Sequence, residues 1–127
     1  MMDLVIEVEN EPGQLARVAR AISDAGVNIA AATYSGPGGM TAMHILVPHA
    51  EAARHALATA NLAVTSEREV VVVEVHDQPG ELADLAATIA EAGINIDLVY
   101  VATRTRVVFG SDDLQGLRAV LRDRVAA

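Results

Sequence analysis

The chain repeats itself. Residues 6–29 align with residues 73–96 without a gap, at an offset of 67. Pro12 and Gly13 meet Pro79 and Gly80, Leu15 and Ala16 meet Leu82 and Ala83, and Ile22 meets Ile89. Ala25 and Gly26 meet Ala92 and Gly93, and Asn28 and Ile29 meet Asn95 and Ile96. These shared positions are the ones with local structural meaning: a turn, a helix face and a helix end. The pattern reads as duplication of one small unit. It constrains the fold strongly, because whatever the first half forms the second half forms too. The 127 residues leave room for only a small module in each copy. We place the copies at residues 1–67 and 68–127. Past Ile29 they diverge. The run Gly36, Pro37, Gly38, Gly39 has no counterpart, and the second copy turns more tightly near Thr103 and Arg104.

Each copy opens with a period-two run. Leu4, Ile6 and Val8 oppose Val5 and Glu7, while Val71, Val73 and Val75 oppose Val72, Glu74 and His76. Such alternation predicts a strand with one buried face. Asn10-Glu11-Pro12-Gly13 and Asp77-Gln78-Pro79-Gly80 then break the strand. Helical spacing follows in Leu15, Val18, Ala19, Ile22 and Ala25, and in Leu82, Leu85, Ala86, Ile89 and Ala92. Gly26 and Gly93 stand where a helix end wants a left-handed residue, with Val27 and Ile94 as the apolar contact beyond. Second strands are predicted at 29–35 and 96–102, third strands at 41–47 and 105–110. Second helices are predicted at 50–59 and 112–124, the latter capped by Asp112 or Ser111, and a short strand at 62–66 closes the first copy. The order is β-α-β-β-α-β, the split pattern of ferredoxin-like α+β folds. No fourth strand is predicted after the second copy's second helix, and one fourth strand is expected to serve two repeats.

Composition narrows the function. The net charge is -8, and the aromatics are Tyr34, Tyr100 and Phe109 alone. A phosphate-backbone binder needs an excess of cations, and a base-stacking platform needs more rings, so no nucleic-acid partner is expected. The absence of Cys excludes disulfides, thiol nucleophiles and Cys-ligated zinc. Residues 1–10 carry acids where a secretory signal carries bases, and no apolar run approaches a membrane span. A cytoplasmic protein with no membrane partner is the expectation.

Other constellations are weaker. His44, His49 and His55 cluster in sequence and His76 adjoins Asp77, but the spacing fits no metal motif and the second copy offers no second ligand set. No serine sits in a nucleophile elbow. The glycine-rich run at 36–39 has no Lys after it, so it reads as a hairpin loop and not as a phosphate loop. Glu7 and Glu9, and Glu67 and Glu69, alternate along strands as a solvated face would. We expect no enzyme activity, no metal and no cofactor.

Strand, [Asn/Asp]-x-Pro-Gly, Leu-Ala at a helix start, then Ala-Gly-[Val/Ile]-Asn-Ile: this succession, present twice, resembles the ACT domain. The resemblance covers nearly the whole chain and is clearest in the first half of each copy. It implies two ferredoxin-like βαββαβ repeats packed side by side, with antiparallel sheets and helices on one face. It also implies a regulatory protein that binds an amino acid at the seam between paired repeats. Carried onto this chain, the ligand residues are Asn10, Glu11, Pro12, Gly13, Gln14, Leu15, Asn28 and Ile29. In the second copy they are Asp77, Gln78, Pro79, Gly80, Glu81, Leu82, Asn95 and Ile96. The chemistry suits such a ligand. A helix start offers free N–H groups to a carboxylate, glycine admits close approach, and an Asn or Asp oxygen accepts from an ammonium. The plainer reading stands beside it, since Asn and Asp also form turns unaided. Asp77 is charged and Asn10 is neutral, so the two sites need not bind equally. The partners implied are an amino acid, a second copy of the chain in a homodimer and a target protein of unknown identity. The alternative is an interaction module that keeps the fold without the ligand.

Overall fold

The computed structural model describes residues 1–125 and divides into two compact units, Met1–Arg68 and Glu69–Ala127. In the first unit, strand β1 (Met2–Glu9) leads to helix α1 (Gln14–Asp24). The hairpin β2 (Ala31–Ser35) and β3 (Met40–Val47), helix α2 (Ala50–Thr59) and strand β4 (Val64–Glu69) follow. The sheet order is β2-β3-β1-β4, with β1 and β2 both antiparallel to β3. The second unit has β5 (Val71–Glu74), α3 (Glu81–Glu91), the hairpin β6 (Leu98–Ala102) and β7 (Arg106–Gly110), and α4 (Leu114–Leu121). Its sheet order is β5-β7-β6, again antiparallel.

The predicted α+β architecture is therefore present twice, and the period-two pattern explains its core. Leu4, Ile6 and Val8 of β1 and Met43, Ile45 and Val47 of β3 share one face of the first sheet. Val18 and Ile22 of α1 and Ala53 and Leu57 of α2 cover that face. In the second unit Val71, Val73, Val107 and Phe109 meet Leu85, Ile89, Leu117 and Leu121. The pairing repeats residue for residue. Val18 and Ile22 recur as Leu85 and Ile89, 67 on, whereas Ala53 and Leu57 recur as Leu117 and Leu121, 64 on. The three residues lost between them come from the glycine-rich hairpin loop. Each of these side chains larger than alanine contributes about 1.5–3 kcal/mol by leaving water.

Helix ends follow local chemistry. Gly26 and Gly93 take positive φ, 72° and 75°, and the N–H groups of Val27 and Ile94 return to Ile22 and Ile89. Asn61, at φ 60°, does the same work after α2, and Leu62 N donates to the Leu57 carbonyl at 2.8 Å. Leu62 is thereby a core residue, and the fourth strand begins later than predicted, at Val64. The cap of α4 also differs from expectation. It is Asp113, whose Oδ1 accepts from Gly116 N at 2.9 Å, while the Ser111 hydroxyl accepts from Asp113 N one step outside.

The edge strand β4 lies beside β1. In the second unit the equivalent place beside β5 holds, among the described residues, a single antiparallel bridge from Val73 to Val125. No helix among the described residues is long and apolar enough to cross a membrane.

Candidate functional site

Both Pro-Gly loops enter their helices in the same way. Gly13 and Gly80 occupy the N-cap positions at φ 91° and 92°, in the left-handed region where a side chain is disfavoured. No heavy atom outside the adjoining chain lies within 4 Å of where a Cβ would stand on either. No side chain among the described residues caps α1 or α3. The first N–H groups of both helices are thus left for an outside acceptor, at the positive end of the helix dipole. Leu15 and Leu82, which helical spacing assigned to the buried stripe, are instead 46% exposed in each unit. The stripe starts a turn later, at Val18 and Leu85. An exposed leucine beside an uncapped helix start is therefore repeated in both copies.

The loops differ in how they are held. Asn10 donates through Nδ2 to the Gly38 carbonyl at 2.9 Å, and its backbone N–H reaches the Gly39 carbonyl at 3.0 Å. The glycine-rich hairpin loop thus ties down the first Pro-Gly loop and orients the Asn10 amide, with Oδ1 left as an acceptor. Gln14 donates to Glu11 at 3.1 Å. In the second unit the shortened hairpin offers nothing equivalent, and the Asp77 carboxylate has no side-chain partner among the described residues. Glu81 is engaged: its Oε1 accepts from His76 N at 3.2 Å and from Arg124 Nη1 at 3.0 Å. The His76 N–H first, and then Arg124, hold the Glu81 carboxyl below its ordinary value of 4.5.

Asn28 and Ile29, and Asn95 and Ile96, follow the far ends of α1 and α3. Eleven helical residues separate them from the Pro-Gly loops, roughly 16 Å of axis. No unit brings its own two segments together. Each unit keeps its two predicted segments at opposite ends of a helix.

Residues 2–60 and 70–123 match a sequence model of the ACT domain. The chain belongs to the ACT domain family. No curated protein matches it by sequence. Among solved structures, protein BT0572 of Bacteroides thetaiotaomicron superposes with a TM-score of 0.88 at 23% identity, over 99% of this chain and 91% of that one. The regulatory subunit of aspartate kinase from Thermus thermophilus gives 0.67 at 22% identity, over 95% and 89%. Escherichia coli aspartokinase III, in complex with lysine and aspartate, gives 0.54 at 10% identity, over 97% of this chain and 31% of that one. At these identities the likeness establishes the ACT fold.

Each ACT repeat also carries a cavity at the loop end of its sheet. In the first it measures about 380 Å³ and is lined by Glu7, Glu9, Glu11, Gln14 and Arg17, among others. In the second it measures about 540 Å³, and Glu74, His76, Arg104, Thr105, Asp123 and Arg124 line it. Glu11 and Gln14 are the only predicted ligand residues that reach either cavity. Sequence reasoning missed the arginines. Arg17 donates to the Ala60 carbonyl at 2.8 Å, and Arg124 pairs with Glu81. Both tie the start of the first helix to the turn after the second, but from opposite ends. The alignment sets Arg17 against Asp84, so a search for shared residues passes over it. Of the histidines, His44 places Nδ1 3.0 Å from Oδ2 of buried Asp3. Among the described residues no three His, Asp or Glu side chains converge where a metal could be held.

Proposed function

We propose that this ACT protein is a non-catalytic regulator that senses an amino acid, binding it where the Pro-Gly loop of one repeat meets the Asn-Ile segment of a paired repeat. The observation that carries this reading is the uncapped helix start found in both copies, with an open left-handed glycine, an exposed leucine and an oxygen acceptor at Asn10 or Asp77. The free N–H groups suit the ligand carboxylate. Asn10 Oδ1 or the Asp77 carboxylate suits the ammonium, and Leu15 or Leu82 supplies an apolar wall. The half-sites at opposite helix ends support a ligand shared between two repeats. That aspartokinase III shares this fold and was captured with lysine and aspartate supports the ligand class. Asp77 is an acid with no side-chain partner among the described residues, so the second repeat's loop is the tighter of the two.

The ligand can act on a separate target only through its differential affinity for two states of the protein. We place the protein in the cytoplasm, in keeping with a chain that has no cysteine. We also propose that it works as a homodimer paired through β6, an edge strand whose Val99 and Val101 are 48% and 69% exposed. That same edge favours the second reading, an interaction module without a ligand.

A thermal-shift screen against the twenty amino acids, followed by calorimetry, decides between them. A ligand of the folded state raises the melting temperature by mass action. We expect one amino acid or a related pair to stabilise the protein, and Asp77→Ala to weaken binding about tenfold or more, as loss of a charged hydrogen bond of 1.5–3 kcal/mol implies. No stabilisation by any amino acid at millimolar concentration would overturn the sensor reading in favour of the interaction module.

A further inference from the structure

We propose that the cavity of the second repeat is a separate site for a small carboxylate, gripped by Arg104 and Arg124. Arg124 is already positioned. Its Nη1 donates to Glu81, and its backbone carbonyl accepts from Glu74 N at 3.1 Å. A guanidinium has five N–H donors, so the remainder of the fork stays open to the cavity it lines. Arg104 lines the same cavity, and its side chain has no partner among the described residues. Two guanidinium groups on one cavity, one anchored and one unengaged, suit the bidentate recognition of a carboxylate.

The backbone adds an independent observation. Arg104 and the β-branched Thr105 both take positive φ, 62° and 51°. Such residues are outliers there, and strain of this kind clusters at ligand-binding and switch segments. It falls on the hairpin loop that brings Arg104 to the cavity.

The first repeat supplies the contrast. Its cavity at the same place has three carboxylates, Glu7, Glu9 and Glu11, and one guanidinium, Arg17, already committed to the Ala60 carbonyl. In the second repeat Glu9 is replaced by His76, and the cavity has two carboxylates, Glu74 and Asp123, against two guanidinium groups and an imidazole. The duplication kept the cavity and changed its charge, so the second cavity is the one that accepts an anion. Glu74 and Asp123 lie within it to meet an ammonium, which favours a carboxylate that also carries an amino group.

The test is a titration of the full-length protein with glycine, L-aspartate and succinate at fixed ionic strength. It is followed by NMR at the amide of Thr105 and at the Nε–H of Arg104. Saturable shifts are expected. A response to succinate means that carboxylate alone suffices, and a response confined to the two amino acids means that the ammonium is also read; either supports the site. Arg104→Asn removes the guanidinium and places a residue that tolerates a left-handed backbone. It is expected to lose at least tenfold in affinity with no fall in melting temperature. Asp77→Ala is expected to leave these shifts intact, since Asp77 does not line this cavity. The site can thus fail while the Pro-Gly loop binds, and the reverse. Unmoved signals, equal shifts with chloride, or an Arg104→Asn protein that binds as well as the parent would each overturn the proposal.

Discussion

At the scale of single residues, charge is used sparingly and in fixed places. Glu81 is the first residue of α3 and sits where the helix dipole favours an anion. It also receives the His76 N–H and the Arg124 guanidinium. Its counterpart Gln14 is neutral and turns to Glu11, so the two loops are braced by different chemistry at the same position. Glu81→Gln keeps an acceptor and removes the charge. A carboxylate whose folded pKa lies below its unfolded value adds stability above the unfolded value, and that stability is lost as pH falls through the folded one. For Glu81 the unfolded value is near 4.5 and the folded value lies below it. The parent should therefore outlast Glu81→Gln in urea at neutral pH, and the two midpoints should converge as the pH drops below 4.5. A gap that persists unchanged into strong acid would mean that Glu81 works by shape and not by charge.

At the scale of elements, the hairpin loop between β6 and β7 is where local preference and structure disagree. A pair of positive-φ residues calls for Asn-Gly, and the chain supplies Arg104 and Thr105. An L-residue pays about 1–2 kcal/mol in the left-handed region, and glycine gives back roughly 0.5–1 kcal/mol of that as unfolded-state entropy. Thr105→Gly should raise stability by about 0.5–1 kcal/mol, read as a higher urea midpoint at unchanged slope. A lower midpoint would show that the Thr105 hydroxyl, which donates to the Arg104 carbonyl at 2.7 Å, outweighs the strain. The sequence shows why such loops are hard to read. It signals a turn near Thr103 and Arg104, but nothing in those letters announces positive φ. Elements set by local chemistry were legible. Helix α2 runs from Ala50 to Thr59 as its spacing predicts, and Gly26 and Gly93 end their helices as expected. Strand bounds depend on a partner and were less so. Ile29 and Ile96 look like strand residues, yet β2 and β6 begin at Ala31 and Leu98, where β3 and β7 come alongside. The Pro-Gly loops were legible because duplication doubled their signal. The cavity arginines were not, because Arg17 and Arg124 act across 43 residues of chain and differ between copies.

At the scale of the whole molecule, a duplicated fold must dispose of its sheet edges. Exposed strands offer unpaired N–H and C=O groups, and proteins blunt them with charges, prolines, bulges or a neighbour. The first sheet ends on β2, which is uncharged but carries the polar Thr33 and Ser35, and on β4, whose sequence Val64–Glu69 carries Glu67, Arg68 and Glu69. Charge guards the β4 edge. One edge of the second sheet is β6, whose sequence Leu98–Ala102 carries no charge, no proline and no Thr or Ser. Val99 and Val101 stand across from Phe109 and Val107, on the face that α3 and α4 cover further in. An edge that is apolar and unguarded fits pairing with its own copy, since a two-fold axis lets β6 meet β6 antiparallel and close the assembly at two chains. Val101→Lys puts a solvated cation on that edge, and in the symmetric pair it puts two near one another. Sedimentation at tens of micromolar should show a dimer for the parent and a monomer for Val101→Lys, while Val101→Thr, which keeps the β-branched shape, should stay dimeric. The amino-acid response links this scale to the residue scale. If the Asn-Ile half-site comes from the partner chain, Val101→Lys should lose ligand affinity along with its partner. If ligand binding survives in the monomer, the seam that matters lies within one chain and the β6 edge serves assembly alone.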